Sequence, residues 1–318
     1  FNFELGSLRA SVPTLAWKLG YVEEEGIDAQ FAALTGVDAI NAIAIGKTDV
    51  QVMSVYQTLA HIAQGTDVAI FGGTAAEGST VITTSEKVEY FKDLINWRGA
   101  VVATTRLNNA DFVTRAKLLE AGVDPQTEIT YKEFDDNTLV VQAIVKGEAD
   151  VAVVTNEFIS VAREAGLDVS FPVRDIAPMY VCCRHTGRKS DIEANRQKYV
   201  NIYIAELRAY KVYLEDHQRT IDILKELARE DDEFVNNYLY SPESSSPLTL
   251  DPSLNKIKAL YGLLQEWGKI EDGISVADSI DVTIYEDALK EVIRRYPDDK
   301  LYQRLLEEFY VNNSEAFS

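Results

Sequence analysis

A pattern of sixteen residues occurs twice in this chain. The stretches 39–54 and 140–155 read AINAIAIGKTDVQVMS and VVQAIVKGEADVAVVT, and six of their positions carry the same residue. Each stretch predicts a helix that ends at a glycine, Gly46 or Gly147, followed by an aspartate and a short apolar strand that closes on a hydroxyl residue. A chain that builds this unit twice is expected to have two similar lobes, and two lobes imply a cleft.

Strand and helix patterns alternate around both copies of the repeat. Apolar runs separated by helical patterns of about ten residues predict an α/β fold, in which each lobe is a helix-flanked, mostly parallel sheet. From Asp191 onward, long amphipathic helices take over. The predicted strands are 1–5, 27–34, 49–53, 68–72, 81–84, 100–105, 128–134, 150–154, 169–173 and 179–184. The predicted late helices are 192–217, 220–229, 233–239, 252–267, 284–295 and 301–310.

Two places in the sequence are candidate lobe boundaries. One is the glycine-rich stretch 72–76, and the other is 174–180, which contains Pro178. We therefore expect lobe one to begin with 1–76 and lobe two to be an insertion over 77–177. Residues 178–318 would then return to lobe one and add a C-terminal helical cap. Paired crossings of this kind make a hinge, and a hinge around a cleft is typical of a ligand clamp.

The charge balance and the cysteine content narrow the function. With 31 basic and 51 acidic residues, the chain carries a net charge of −20, which repels nucleic acid and anionic lipid and argues against both as partners.

The sequence opens on a predicted strand without a methionine or a signal pattern, so we interpret it as a mature or trimmed form whose targeting segment is absent. The only cysteines, Cys182 and Cys183, are interpreted as small buried residues, because a zinc site needs more ligands.

Five segments, in order, resemble a known family. They are LGYVEEEGID at 19–28, AIAIGKTDV at 42–50, WRGAVV at 97–102, LLEAGVD at 118–124 and GEADVA at 147–152. Together they resemble periplasmic-type solute-binding proteins, in the branch that serves ABC importers of sulfonates, nitrate, taurine and pyrimidine precursors. The resemblance covers roughly residues 1 to 290.

The resemblance carries expectations about fold, location and partners. It implies a type II periplasmic-binding-protein fold, with two lobes and a C-terminal helical extension. It implies an extracytoplasmic protein, either free in the periplasm or lipid-anchored at the outer face of the cytoplasmic membrane. The expected partners are a small solute (sulfonate, nitrate, carboxylate or pyrimidine-like) and an ABC permease. A monomer is the default for this class.

Candidate ligand contacts follow from a rule for open parallel sheets. In such sheets ligands bind beyond the carboxyl ends of the strands, where helix N-termini present free N–H groups. In lobe one the rule selects Arg9, Ser11, Thr35, Gly36, Ser54, Tyr56, Thr74 and Ala75. In lobe two it selects Arg106, Asn108, Asn109, Asn156 and Glu157, and Tyr180 at the return completes the set.

These residue types suit a small polar or anionic solute, but several have a second interpretation. Arg9 and Arg106 can each fork onto a carboxylate or sulfonate oxygen, or pair with a surface acid. Asn108 and Asn109 are either ligand contacts or the cap and first turn of their helix, and Tyr56 either stacks on a planar ligand or packs. Glu157 would repel an anion and favour a ligand that carries an amine or a ring N–H. The sequence therefore leaves the ligand charge open.

Enzymatic signatures are absent from the sequence. The three histidines have no spacing that suggests a metal site or a catalytic triad, and neither a nucleophile elbow nor a phosphate loop occurs. We therefore expect neither catalysis nor a cofactor. One alternative is a pyrimidine-synthase-like enzyme of the same fold. The pair Cys182-Cys183 faintly resembles the cysteine-rich motif of that enzyme. The other is the ligand-sensing domain of a receptor or regulator, against which the long helical region after Asp191 argues.

Overall fold

The chain divides into two compact units in this computed structural model. Unit 1 comprises residues 1–75, 183–236 and 248–318, and unit 2 comprises 76–182 and 237–247. The chain therefore passes from one unit to the other four times, at 75/76, 182/183, 236/237 and 247/248. The structure describes residues 2–4, 8–32, 36–106, 108–242, 245–270 and 275–317.

The described residues form ten strands and fifteen α-helices. The strands are β1 Asn2–Glu4, β2 Gln30–Ala32, β3 Val50–Ser54, β4 Ala69–Ala76, β5 Ser79–Thr84, β6 Val101–Thr105, β7 Thr130–Phe134, β8 Val151–Thr155, β9 Leu167–Pro172 and β10 Val181–Gly187. The helices are α1 Ser11–Lys18, α2 Tyr21–Glu24, α3 Gly36–Ala44, α4 Val55–Ala63, α5 Val88–Lys92, α6 Asn109–Glu120, α7 Asn137–Val145, α8 Ile159–Glu164, α9 Lys189–Ala194, α10 Arg196–Glu215, α11 His217–Ala228, α12 Asp232–Tyr240, α13 Leu254–Glu266, α14 Thr283–Arg295 and α15 Lys300–Asn312.

Both units have sheets of mixed direction. Unit 2 contains a five-stranded sheet of order β7-β6-β8-β5-β9, in which β5 runs antiparallel to both of its neighbours and the other four strands share one direction. Unit 1 contains the parallel pair β1-β2 and a sheet of order β3-β10-β4, in which β10 is antiparallel to β3. The predicted α/β class is thus confirmed, with β5 and β10 as the reversed strands.

Helices cover the unit 2 sheet on both faces. Alternate residues of its strands enter two separate apolar clusters, so that Val151 and Val153 face one cluster while Ala152 and Val154 face the other. Leu118 of α6 packs into the first cluster. Residues of α7 and α8 pack into the second. This period of two is expected of a strand that is buried on both sides, and it explains why the strand reads as a continuous apolar run.

The two copies of the repeated pattern end their helices in the same way. Gly46 and Gly147 both have a left-handed backbone, with φ of +73° and +69°. In each copy the amide of the next residue donates to a carbonyl five residues back, Lys47 to Ala42 and Glu148 to Ala143, both at 2.8 Å. This is the Schellman cap, and its left-handed position favours glycine because a side chain there is strained.

The repeated aspartate anchors the strand that follows each cap. The Asp150 carboxylate accepts from the Val101 amide at 3.0 Å and from Lys87 Nζ at 2.8 Å. The hydrogen bond from Lys87, together with that from the amide, lowers the pKa of Asp150. In the first copy Asp49 accepts from Lys198 Nζ at 3.0 Å. Each aspartate thus ties its strand to a lysine on another element.

Aromatic side chains form a column through the core of unit 1. Phe71 of β4 stacks on His185 of β10 and meets the edge of Tyr203 of α10. Tyr203 contacts Tyr285 of α14, which contacts Phe309 of α15. The late helices predicted from the sequence therefore close the core of unit 1 over its sheet. The predicted helix 192–217 is divided at Asn195 into α9 and α10.

No helix in the part of the chain that the structure describes is long and apolar enough to cross a membrane.

Replacing Gly72 should destabilise unit 1, because a Cβ at that position would lie 1.8 Å from Tyr203 Oη. The Tyr203 side chain is fully buried and its hydroxyl donates to the Gly73 carbonyl at 2.9 Å, so it cannot move aside cheaply. We expect Gly72→Ala to lower the free energy of unfolding by about 3 kcal/mol in urea denaturation. The control is Gly262→Ala in α13, where nothing lies within 4 Å of the added Cβ and stability should rise by up to about 1 kcal/mol. Equal stabilities for the two variants would contradict this packing.

Replacing Asp150 should weaken unit 2 in a pH-dependent manner. The folded state lowers the pKa of this carboxyl, so its stabilising effect is present above the pKa of the unfolded chain, about 3.9, and is lost as the pH falls through the folded value. The side chain is 37% exposed, so solvent screening limits the expected loss for Asp150→Asn to about 1 kcal/mol at pH 7. Urea denaturation at pH 7 and pH 3 tests this, with Glu120→Gln as the exposed control. A difference that persists unchanged at pH 3 would count against the assignment.

Candidate functional site

Three polar residues meet at one edge of the unit 1 sheet. Ser54 ends β3, and its register partner across the antiparallel pair is Cys183 of β10. Arg9, on a short 3-10 turn before α1, donates from Nη1 to Cys183 Sγ at 3.8 Å. The structure therefore brings together two of the predicted ligand contacts, Arg9 and Ser54. It adds the thiol of Cys183, which the sequence analysis interpreted as a small buried residue.

Ser11 and Tyr56 are buried beside these elements. Ser11 is the first residue of α1, and its hydroxyl donates to the Leu8 carbonyl at 2.5 Å. The capping position of α1 is held by Ala10, which makes no side-chain cap. Tyr56 lies in the first turn of α4. Both remain predicted ligand contacts.

Thr74 and Ala75 are buried in β4, where the first segment of unit 1 ends. The Thr74 carbonyl accepts from the Thr249 amide at 3.2 Å, whereas Thr74 Oγ1 has no hydrogen-bond partner among the described residues. The Ala75 carbonyl accepts from Arg184 Nη1 at 3.0 Å. Of the remaining predictions in unit 1, Gly36 is the first residue of α3. Thr35 lies outside the described residues.

In unit 2, two predicted asparagines surround the start of α6. Asn108 caps the helix, accepting from the Ala110 amide at 3.0 Å, and Asn109 begins it. The capping interpretation of Asn108 is therefore confirmed. Asn109 is buried, and its Nδ2 donates to the Cys182 carbonyl at 2.8 Å. This amide fixes the start of α6 against the first residues of β10.

Asn156 directly follows β8, in the position that Val55 occupies after β3. It is buried, and its Nδ2 donates to the Ser245 carbonyl at 3.3 Å. Glu157, next along the short 3-10 turn, is partly buried. Tyr180 belongs to the apolar cluster that contains Trp97. These three residues lie in unit 2 and remain predictions as ligand contacts.

Arg106 has a different environment from Arg9. Its guanidinium pairs with Asp135 at 2.9 Å, and the two side chains are 63% and 76% exposed. This is a surface ion pair, the second of the two interpretations that the sequence left open for this residue. Among the described residues, no group of three or more histidine, cysteine, aspartate or glutamate side chains is arranged to hold a metal ion.

Sequence reasoning missed Arg184 and the pair Glu77–Arg174. Arg184 is buried in β10, and Arg174 Nε pairs with Glu77 Oε2 at 3.1 Å in unit 2. A charged residue within an apolar strand, as in VCCRHTG, is the signal that points to Arg184. Glu77 carries no comparable signal, because its partner lies 97 positions away in the sequence.

A comparison with models of known protein families shows which family the chain belongs to. A family model described as NMT1/THI5 like matches residues 13–220, about two thirds of the chain, and so includes both copies of the repeated pattern. The chain belongs to the NMT1/THI5-like family. A search among curated proteins finds no significant match.

Solved structures extend the likeness to nearly the whole chain. The periplasmic aliphatic sulphonate binding protein SsuA from Escherichia coli has a TM-score of 0.70 at 13% identity, over 88% of this chain and 90% of its own. The ligand-binding component of an ABC-type import system from Staphylococcus aureus, solved with zinc bound, has a TM-score of 0.69 at 12% identity, over 90% and 97%. The nitrate-binding protein NrtA from Synechocystis has 0.68 at 11%, over 92% and 88%. At such low identities the likeness shows the fold alone, and the fold that the sequence predicted is confirmed.

Two neighbouring substitutions should separate a structural role from a surface one. Asn108→Ala removes the acceptor that caps α6, and we expect it to lower the free energy of unfolding by about 1 kcal/mol. Arg106→Gln removes one side of an exposed ion pair and should change it by less than about 0.5 kcal/mol. Urea denaturation of both variants checks this. If Arg106→Gln cost as much as Asn108→Ala, the description of Arg106 as a surface residue would be wrong.

Proposed function

We propose that this chain is the extracytoplasmic solute-binding component of an ABC importer. It binds one small anionic solute with residues of both units and delivers it to a permease. The observation that carries the proposal is the fold likeness over about nine tenths of the chain to binding proteins for sulphonate and nitrate, within a family the chain belongs to. In this role the chain is a monomer, performs no chemistry on the solute, and works either free or lipid-anchored.

The unit 1 edge supports an anionic solute. Arg9 lies beside the end of β3, next to the polar residues Ser54 and Cys183. A guanidinium donates in a planar fork that matches carboxylate, nitrate and sulfonate oxygens, and the start of α4 directly after Ser54 adds the partial positive charge of a helix N-terminus. Arg106 is a weaker candidate, because its guanidinium and its partner Asp135 are both largely exposed to solvent, which screens their charges.

The repeated pattern explains why both units would take part. In each copy the strand after the capped helix ends on a hydroxyl residue, Ser54 in unit 1 and Thr155 in unit 2, and a new helical turn begins at once. The same local fold therefore presents a hydroxyl and a set of helix-terminal N–H groups twice. A solute that contacts both sets stabilises the state in which both contacts form, and this is how binding shifts a conformational population.

A thermal-shift screen tests the proposal directly. The panel is methanesulfonate, taurine, nitrate, oxalate and 4-aminopyrimidine. A solute present at a hundred times its Kd adds about 2.7 kcal/mol to the stability, which should raise the Tm by about 4 °C. We expect an anion to be the strongest hit. A shift with 4-aminopyrimidine alone would move the charge assignment from Arg9 to Glu157, and a flat panel would contradict the proposed solute class.

Single substitutions in each unit should weaken binding of the solute found. We expect Ser54→Ala and Asn109→Ala each to raise Kd roughly tenfold in calorimetric titration, because each removes a polar group that the solute would use, at the end of β3 and at the start of α6. The matched controls are Ser190→Ala in unit 1, whose hydroxyl donates to Asp67, and Asn96→Ala in unit 2, whose amide donates to the Tyr90 carbonyl. Unchanged affinity in both Ser54→Ala and Asn109→Ala, with the Tm retained, would show that the assigned residues do not contact the solute.

A further inference from the structure

A cavity of about 330 Å³ lies among the helices of unit 1. This volume is near the lower end of the roughly 300–1,000 Å³ that is typical of small-molecule sites. Its walls are formed by α2, α10, α11, α15 and the turn between α14 and α15. Among the described residues, its lining consists of three tyrosines, three basic side chains, three acidic side chains and one valine. We call it the unit 1 helical cavity.

The three tyrosines supply both ring surface and hydroxyl groups to this cavity. Tyr302 is 2% exposed, and its ring centroid lies 6.1 Å from that of Tyr296, which is 41% exposed. The Arg208 guanidinium covers one face of Tyr21, with its carbon 4.0 Å from the ring centroid. Within the described part of the chain, none of these three tyrosine hydroxyls makes a hydrogen bond. A buried tyrosine hydroxyl ordinarily has a partner, so the Tyr302 hydroxyl points to a ligand in the cavity.

The Tyr302 hydroxyl keeps its proton at physiological pH. Burial, and then the Asp299 carboxylate in the same lining, raise the pKa of Tyr302 above its ordinary value. A neutral phenol can donate one hydrogen bond and can also accept. Tyr302 therefore offers a ligand a hydroxyl group without a charge.

The basic and acidic side chains in the lining are equal in number, and two of the three basic ones are paired. Lys211 Nζ pairs with Asp299 and lies 3.8 Å from a Glu215 carboxylate oxygen. The Arg208 guanidinium pairs with Glu24 at 2.5 Å. An ion of either sign would enter beside groups that repel it, and it would compete with ion pairs that are already formed. The balance of charge therefore favours a neutral ligand.

A neutral ligand for this cavity has to donate to some groups and accept from others. Carboxylates only accept hydrogen bonds, ammonium and guanidinium groups only donate them, and tyrosine hydroxyls do both. An aliphatic hydroxyl group also does both, so a compound with several hydroxyls can pair with all three kinds of side chain. If that compound is a ring, the C–H groups of its faces can pack against tyrosine rings.

We propose that the unit 1 helical cavity binds a neutral polyhydroxylated ring compound, such as a monosaccharide or a cyclitol. Tyr302 donates to a ligand oxygen in the most buried part of the cavity, and the exposed ring of Tyr296 packs against a face of the ligand. Lys211 and Asp299 pair with further hydroxyls. The proposal does not rest on the proposed function, because none of the candidate solute contacts in unit 1 or unit 2 is part of the described lining.

Calorimetric titration of the full chain tests the chemical class of the ligand. The neutral probes are D-glucose, D-galactose and myo-inositol. Glucose 6-phosphate and glucosamine present the same type of ring with a negative or a positive charge, in buffer of about pH 6, where the amine is protonated. We expect at least one neutral probe to bind saturably, and both charged probes to bind more weakly than the best neutral one. Tighter binding of a charged probe, or no binding of any neutral probe, would overturn the proposal.

Substitutions test whether the probe binds in this cavity. Tyr302→Phe removes only the hydroxyl, and we expect it to weaken binding of the best neutral probe about tenfold. Because this hydroxyl has no partner among the described residues, the Tm should stay the same. The matched control is Tyr310→Phe in the same helix, whose hydroxyl donates to Glu286 at 2.6 Å outside the lining, and which should bind the probe unchanged. Tyr296→Ala, which removes the exposed ring, is the second variant and should also weaken binding.

The outcomes of these substitutions decide the location of the site. Weaker binding in Tyr302→Phe and Tyr296→Ala, with unchanged binding in Tyr310→Phe, supports the proposal. Unchanged affinity in both cavity variants overturns it, because the probe would then bind elsewhere on the chain. Misfolding of one variant leaves the decision to the other. Each of these results leaves the proposal of an anionic solute as it stands, since neither Tyr296 nor Tyr302 is one of its candidate contacts.

Discussion

The buried guanidinium of Arg184 is the interaction on which the arrangement of unit 1 depends. A charged group removed from water costs several kcal/mol unless its N–H groups find acceptors. Three backbone carbonyls, those of Ala75, Cys183 and Pro252, supply them. Satisfying one side chain thus fixes the end of β4, the beginning of β10 in unit 1, and the approach to α13. The residues next to these three segments are therefore positioned by Arg184 as well.

The candidate ligand contacts of unit 1 are among those residues. The Cys183 carbonyl accepts from Arg184 Nη1, and this bond holds the start of β10 in unit 1. Because Cys183 is the register partner of Ser54, the same bond helps to position the end of β3. Arg9 reaches the same point through its contact with the Cys183 thiol. The chain has a net charge of −20, so its overall electrostatic field repels an anionic solute. A local cation at a defined strand end offsets this repulsion. Arg106 is paired with Asp135, and both side chains are largely exposed to solvent.

Features that depend on local chemistry were predictable from the sequence, and features that depend on distant partners were not. The glycine caps at Gly46 and Gly147, the capping role of Asn108 and the alternation of strands and helices all follow from residues within one or two turns. A charge within an apolar strand marks Arg184 as unusual, but its Ala75 partner lies 109 positions away and no local pattern identifies it. Glu77 carries no local signal, because its partner Arg174 is similarly distant in the sequence. The added crossing inside α12 was missed for a related reason, because a continuous helical pattern carries no sign of a unit boundary. Sequence reasoning placed Arg9 and Ser54 at strand ends, but only the structure shows that Cys183 is the register partner of Ser54 and that its thiol accepts from Arg9.

The central claim is that the chain reversibly holds one small solute, and native mass spectrometry of the purified full chain tests it most directly. The account predicts a single noncovalent adduct per chain, of a mass expected for a small organic or inorganic anion, which is lost on mild activation and is restored by adding the same anion. A covalent adduct with the mass and absorbance of pyridoxal phosphate would contradict it and indicate an enzyme. So would a spectrum in which no anion from the screening panel adds to the chain at any concentration.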